Sequence, residues 1–225
     1  MSLQEAIQKL AIDAVRRVRN VRVVGLGSGS TAAHIVREMA KLPNKESMEF
    51  VPTSLQIKIE AERSGLKIAD ENRIPDIDIV FDGADQIDSN GNMIKGGGGA
   101  LLREKILISS AKQVVIVADA TKFVRSFSRS VPIEVHPMAR SAVTKQLSEI
   151  GGRPLLRVLD KGYPFVTENG NIILDTTFPS IPDPKKKETE LKSIAGVLEV
   201  GLFTRRADVY YKAKDDGTFE TVTDF

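Results

Sequence analysis

The sequence has no cysteine and no tryptophan, and only two histidines among its 225 residues. Without cysteine there is no disulfide framework, no thiolate nucleophile and no cysteine-based zinc site. His34 and His136 lack metal-ligand spacing: His34 falls mid-helix and reads as a packed or exposed side chain, and His136 simply precedes Pro137. No apolar run approaches the ~20 residues needed to cross a bilayer. The opening MSLQEAIQKLAIDAVRRV is charged throughout and has no apolar stretch of the kind a secretory signal needs. The net charge of +2 is too small to argue for nucleic acid. G-x-S-x-G, Walker A and H-E-x-x-H are all missing. These absences predict a soluble cytoplasmic protein with no membrane or nucleic-acid partner. With 41% apolar and 28% charged residues the chain is globular in balance. Its length suits one large domain, or one with a small companion.

Helical and extended patterns alternate along the first half. Ser2 and Glu5 have capping-box spacing, and Ile7, Leu10, Ala11, Ala14, Val15 and Val18 follow at helical intervals. Val21–Val24 is a short β-branched run that ends in Gly25-Leu26-Gly27-Ser28-Gly29-Ser30-Thr31, and a helical pattern runs from Ala32 to Met39. Strands are predicted at 49–51, 66–69, 77–81 and 114–117, and helices at 55–64 and 100–110. Short apolar strands alternating with helices predict a mainly parallel sheet covered on both faces. Beyond Val131-Pro132 the texture changes: strand 133–135, helix 139–150, extended runs 155–159 and 165–167, an Asn169-Gly170 turn, strand 172–174 and a helix over 186–194. Asn-Gly between apolar runs is a strong hairpin signal. This order suits a small α+β domain. The strand-like 207–211 returns to the first sheet. Lys185-Lys186-Lys187 reads as a solvated helix start.

Five features carry chemistry. The Gly27–Thr31 turn between strand and helix lets backbone approach an anion, with helix N–H groups behind it and the hydroxyls of Ser28, Ser30 and Thr31 beside it. A dinucleotide reading is weaker: G-x-G-x-x-A fits Gly27, Gly29 and Ala32, but Val51-Pro52-Thr53-Ser54 offers no acid for a ribose hydroxyl. Asp82 and Asp85, separated by Gly83 and Ala84, follow an apolar strand, where carboxylates could move sugar hydroxyl protons or bind a metal. Lys95 precedes Gly96-Gly97-Gly98-Gly99, a backbone cradle with a cation at its start. Glu104 taken alone is a surface carboxylate favoured by the helix dipole, but it follows the cradle at a distance that lets it face the same pocket. Lys122 is a second cation after an apolar strand.

Taken together, the segments 25–32, 82–85, 95–105 and Ala118-Asp119-Ala120-Thr121-Lys122 closely resemble the ribose-5-phosphate isomerase A family in order and spacing, as do Val131–Val135, Thr167–Asn171 and Gly201-Leu202-Phe203. The resemblance covers nearly the whole chain. Small departures, such as Gln86, Asp88 and Gly99, touch none of the acid–base groups. It implies a Rossmann-like domain (1–130 and 206–225) beside a ferredoxin-like α+β domain (131–205), assembled as a homodimer or homotetramer. It implies aldose–ketose isomerisation of a pentose 5-phosphate without metal or organic cofactor. Glu104 would be the general base. Ser28, Gly29, Ser30, Thr31, Asp82, Gly83, Ala84, Asp85, Lys95, Gly96, Gly97, Gly98 and Lys122 would bind substrate. Asp82 and Asp85 would open the furanose ring, and Lys95 with the glycine N–H groups would stabilise an enediolate. Lys122 or the Ser28–Thr31 turn would hold the phosphate. A base works best with a pKa near the operating pH, so the Glu104 carboxyl is expected to be raised. A sugar-phosphate sensor, a nicotinamide-dependent dehydrogenase and a metal-dependent isomerase are the rival readings. An isomerase assay, NAD(H) binding and sensitivity to chelation separate them.

Overall fold

The computed structural model describes residues 2–225. In chain order the first elements are α1 (Leu3–Ala14), β1 (Val23–Leu26), α2 (Ser30–Met39), β2 (Glu49–Pro52), α3 (Leu55–Arg63) and β3 (Ile79–Asp82). Then come β4 (Gln86–Ile87), β5 (Met93–Ile94), α4 (Leu101–Ser110), β6 (Gln113–Asp119) and β7 (Val131–Val135). The remainder are α5 (Arg140–Glu149), β8 (Arg153–Leu156), β9 (Ile172–Thr177), α6 (Pro184–Lys192), β10 (Val197–Val200), β11 (Leu202–Phe203), β12 (Val209–Ala213) and β13 (Phe219–Val222). The chain forms two compact units. One comprises the residues up to Ala84 with Arg103–Phe123 and Ala207–Phe225; the other comprises Asp85–Leu102 and Val124–Arg206.

The first unit is a six-stranded sheet in the order β13-β12-β6-β3-β1-β2. Five strands are parallel, and only β13 pairs antiparallel, as a hairpin edge on β12. Numbered among themselves, the parallel strands run second-first-third-fourth-fifth, a doubly wound order whose direction reverses between β1 and β3. Val24, Leu26, Ile79, Phe81, Val115, Val117 and Tyr211 point to the face packed by Leu10, Ile35, Val36 and Ile57 of α1, α2 and α3. Each such side chain, fully buried, contributes about 1.5–3 kcal/mol. The residues between them face the other way: a side chain at Gly25 would meet Val80 and Leu107 of α4. The helix starts follow the sequence. Ser2 and Glu5 complete a reciprocal capping box on α1, and the Ser54 hydroxyl caps α3 by accepting from Ile57 N–H.

The second unit contains β7-α5-β8-β9-α6-β10, with an antiparallel sheet in the order β10-β7-β9-β8. This is the split βαβ, ferredoxin-like arrangement. Val131, Ile133 and Val135 pack with Val143 and Leu147 of α5 and Leu191 of α6. The unit is larger than the 131–205 expected from sequence. It also takes in Asp85–Leu102, because the β4–β5 hairpin pairs through β5 with β11. One predicted strand and one predicted extended run are less than strands. Residues 66–69 make a single bridge, Ile68 to Phe50, and 165–167 make a single bridge, Val166 to Ile172.

Candidate active site

The carboxyl edge of the parallel sheet gathers one set of the expected residues within the first unit. β1 ends at Leu26 and β3 at Asp82, and the register Leu26↔Phe81 leaves Gly27 beside Asp82. The contact is close enough to dictate glycine: a Cβ on Gly27 would stand 2.0 Å from Asp82 Oδ1. Asp82 is fully buried, and its Oδ1 accepts from the Gly83 N–H at 2.7 Å. A buried carboxylate at this position is costly unless its charge is met or its proton is used.

Glu104 lies in the first turn of α4 and is 5% exposed, so it is not the solvated surface carboxylate that its neighbours Arg103 and Lys105 alone suggest. Its height follows from packing. Leu107 reaches the space over Gly25. Glu104 is one turn earlier on the same helix face, roughly 4.5 Å further toward the strand ends. That brings it level with the last residues of β1 and β3, on the face to which Val80 and Asp82 point.

The turn after β1 leads into α2. Gly29 is the N-cap, its φ of 100° suiting glycine, and its N–H donates to Gln56 Oε1 at 3.2 Å. Ser28 differs from its neighbours. Its hydroxyl donates to Ser54 Oγ at 2.7 Å and lies 2.8 Å from Thr53 Oγ1, so it ties the turn to the cap of α3. Ser30 is exposed and Thr31 half-buried, and they sit at the first positions of α2, where helix N–H groups favour an anion. Lys122 closes a short 3-10 turn after β6, with Nζ 3.9 Å from Asp119 Oδ2.

The second unit holds the other set. Asp85 N–H donates to the Ile94 carbonyl at 2.8 Å, which brings Asp85 alongside the end of β5. Its Oδ2 accepts from the Gly97 N–H at 2.8 Å, and a Cβ on Gly97 would stand 2.7 Å from its Oδ1. Lys95 is buried, with its ammonium 5.5 Å from the centre of the Phe203 ring. Its N–H donates to the Gly201 carbonyl at 2.9 Å. Gly98 is exposed and meets nothing within 4 Å, so packing alone does not require glycine there. A cavity of about 300 Å³ opens here, lined by Asp85, Gly97, Arg129, Arg157 and Asp175 among others. Sequence reading missed Arg129, Arg157 and Asp175; only the extended run around Arg157 drew notice, and no local motif marks them.

His34 Nε2 lies 3.2 Å from Gln4 Nε2, and burial followed by the charge of Arg37 pushes its pKa down. His136 Nδ1 accepts from Met138 N–H at a helix start. Among the described residues no cluster of three or more His, Asp or Glu could hold a metal ion, and no helix is long and apolar enough to cross a membrane.

Known proteins resemble this chain in sequence and fold. The chain is 40% identical over 215 residues to the ribose-5-phosphate isomerase A of Methanosarcina acetivorans, covering 94% of this chain and 92% of that protein. It is 42% identical over 214 residues to that of Haloarcula marismortui, covering 94% and 93%. Among solved structures, ribose 5-phosphate isomerase A of Methanocaldococcus jannaschii superposes with a TM-score of 0.89 at 35% identity, covering 96% of this chain and 97% of that one. A D-ribose-5-phosphate isomerase in complex with phospho-erythronic acid gives 0.91 at 36% identity, covering 99% and 100%. The family model of ribose 5-phosphate isomerase A (phosphoriboisomerase A) matches residues 49–217, and this chain belongs to that family.

Proposed function

We propose that this protein interconverts D-ribose 5-phosphate and D-ribulose 5-phosphate through an enediolate, in the non-oxidative branch of the pentose phosphate pathway. The observation that carries the reading is the burial of two carboxylates, Asp82 and Glu104, at the sheet edge that also bears the Ser30–Thr31 helix start. One relative was solved with phospho-erythronic acid, a phosphorylated sugar acid, which supports the same substrate class.

The reaction needs three services. The furanose must open, with a proton delivered to the ring oxygen and one removed from the C1 hydroxyl; Asp82 and Asp85 take these roles. A proton must then move between C2 and C1, and Glu104 carries it. The charge developing on the oxygens must be met by fixed donors, for which Lys95 and the N–H groups of Gly96–Gly98 are suited. Ser30, Thr31 and Lys122, with the backbone of Ser28 and Gly29, hold the phosphate. The chemistry calls for no metal or organic cofactor. We further infer a cytoplasmic homo-oligomer.

Glu104→Gln tests the assignment. Loss of one general base costs about 10²–10⁴-fold in rate. The variant is expected to lose that much kcat with KM changed only a few-fold, and wild-type activity is expected to survive EDTA. A fully active Glu104→Gln would overturn the role of Glu104, and abolition by EDTA would overturn the metal-free reading.

A further inference from the structure

Arg157, just past β8, uses its whole guanidinium inside the second unit. Nε and Nη2 donate to Asp175 Oδ2 and Oδ1 at 2.8 and 2.6 Å, a two-pronged ion pair. Nη1 donates to the carbonyls of Gly96 and Gly97 at 2.8 and 3.0 Å. The guanidinium carbon stands 5.7 Å from the centre of the Phe165 ring. The Gly96 carbonyl and the Gly97 N–H belong to one planar trans peptide, so they point in opposite directions. Arg157 grips the oxygen end of that peptide, and Asp85 Oδ2 accepts from the nitrogen end at 2.8 Å. The other Asp85 oxygen lies 3.9 Å from Arg129 Nη1. Asp85, Gly97, Arg129, Arg157 and Asp175 all border the cavity described above.

We propose that Arg157, held by Asp175, is a positioning residue for Asp85. It fixes the plane of the Gly96–Gly97 peptide, and that plane fixes the carboxylate. The inference rests on the reading above, in which Asp85 serves ring opening. Its consequence is selective. Ring opening depends on where Asp85 points, whereas proton exchange at C1 of ribulose 5-phosphate, which is already open-chain, depends on the base. Arginine is needed because four bonds are made, two of them in a planar fork to both carboxylate oxygens, and a lysine ammonium has only three donors.

The experiment measures Arg157→Met, Arg157→Lys, Asp175→Asn and Asp85→Asn in two assays: turnover of ribose 5-phosphate, and deuterium incorporation from D2O into C1 of ribulose 5-phosphate. A misplacement of about 1 Å can cost about 10²-fold. Arg157→Met is expected to lose turnover on that scale while exchange stays within a few-fold of wild type. Asp175→Asn should follow the same split, and Arg157→Lys should recover part of the turnover. Equal loss in both assays, together with a lowered melting temperature, would mean a merely structural arginine and overturn the inference. So would unchanged turnover in Arg157→Met beside a crippled Asp85→Asn. A fully active Asp85→Asn would instead overturn the role given to Asp85.

Discussion

Two residues show how tightly the sheet edge is specified. At Gly27 the only atom that fits toward β3 is hydrogen, because the Asp82 carboxylate fills the rest. Gly27→Ala should therefore push Asp82 aside. Overpacking of this kind costs about 1–3 kcal/mol of stability, and the displaced carboxylate should lower kcat/KM by about 10²-fold; thermal melting and steady-state kinetics check the two effects separately. Asp78 is the counterpart at the opposite end of the strands. It accepts from the N–H groups of Arg22 and Val23 and pairs with Lys112 at 2.7 Å. Burial pushes its carboxyl up, but the Lys112 ammonium and the two N–H groups outweigh that and hold its pKa below the ordinary value. A depressed carboxyl stabilises the fold above its unfolded pKa, about 3.9, and that contribution fades as pH falls through the folded value. Asp78→Asn should lower the urea midpoint at pH 7 and leave kcat unchanged, and the difference from wild type should shrink toward pH 3.

At the scale of elements, the sequence was legible wherever a local signal sufficed. The capping box at Ser2, the helix expected over 55–64, the apolar run of β6 and the Asn169-Gly170 turn all lie where their residues predict them. The Gly27–Thr31 turn and the buried Asp82 also lie at the strand ends as read. What could not be read depends on distant partners. β4, β5 and β11 are two residues each, too short to show a period, and exist through one another's hydrogen bonds. Residues 66–69 have strand-like composition but only one neighbour to pair with. Arg157 and Asp175 are separated by a turn and look like ordinary surface charges until β8 and β9 align them. The same holds for Glu134 on β7. It is fully buried, and its Oε1 accepts from Thr167 Oγ1, Asn169 Nδ2 and Asn171 Nδ2 at 2.8–3.0 Å. The turn is visible in sequence; its anchor, some 33 residues earlier, is not. Glu134→Ala would strand the buried donors of Thr167 and Asn171, at about 1–3 kcal/mol. Faster amide exchange confined first to Thr167–Asn171, with a lower denaturation midpoint, is the expected signature.

For the whole molecule, the homo-oligomer reading finds support in one exposed apolar strip. β8 is an edge strand, and Leu155 on it, with Val158, Leu159, Tyr163 and Val166 just beyond, are all more than half exposed. Isolated apolar side chains on a surface are ordinary, but five on one segment at a sheet edge are a liability unless covered. Replacing Leu155 and Tyr163 together by serine should shift the mass measured by light scattering to a smaller species without unfolding the chain. An unchanged mass would move the contact elsewhere.

The interleaving of the two units also orders the folding reaction. Val114 and Asp208, hydrogen-bonded where β6 and β12 begin, lie 94 positions apart in the chain. Closing so long a loop from a disordered chain is slow. Most of the intervening stretch, however, is the βαββαβ body, whose neighbours are close in sequence and which can condense early. Once it has, less of the intervening chain remains disordered, so closing the loop between β6 and β12 costs less entropy. The excursion that looks like an interruption of the larger sheet thus shortens the disordered stretch that its last strand has to close.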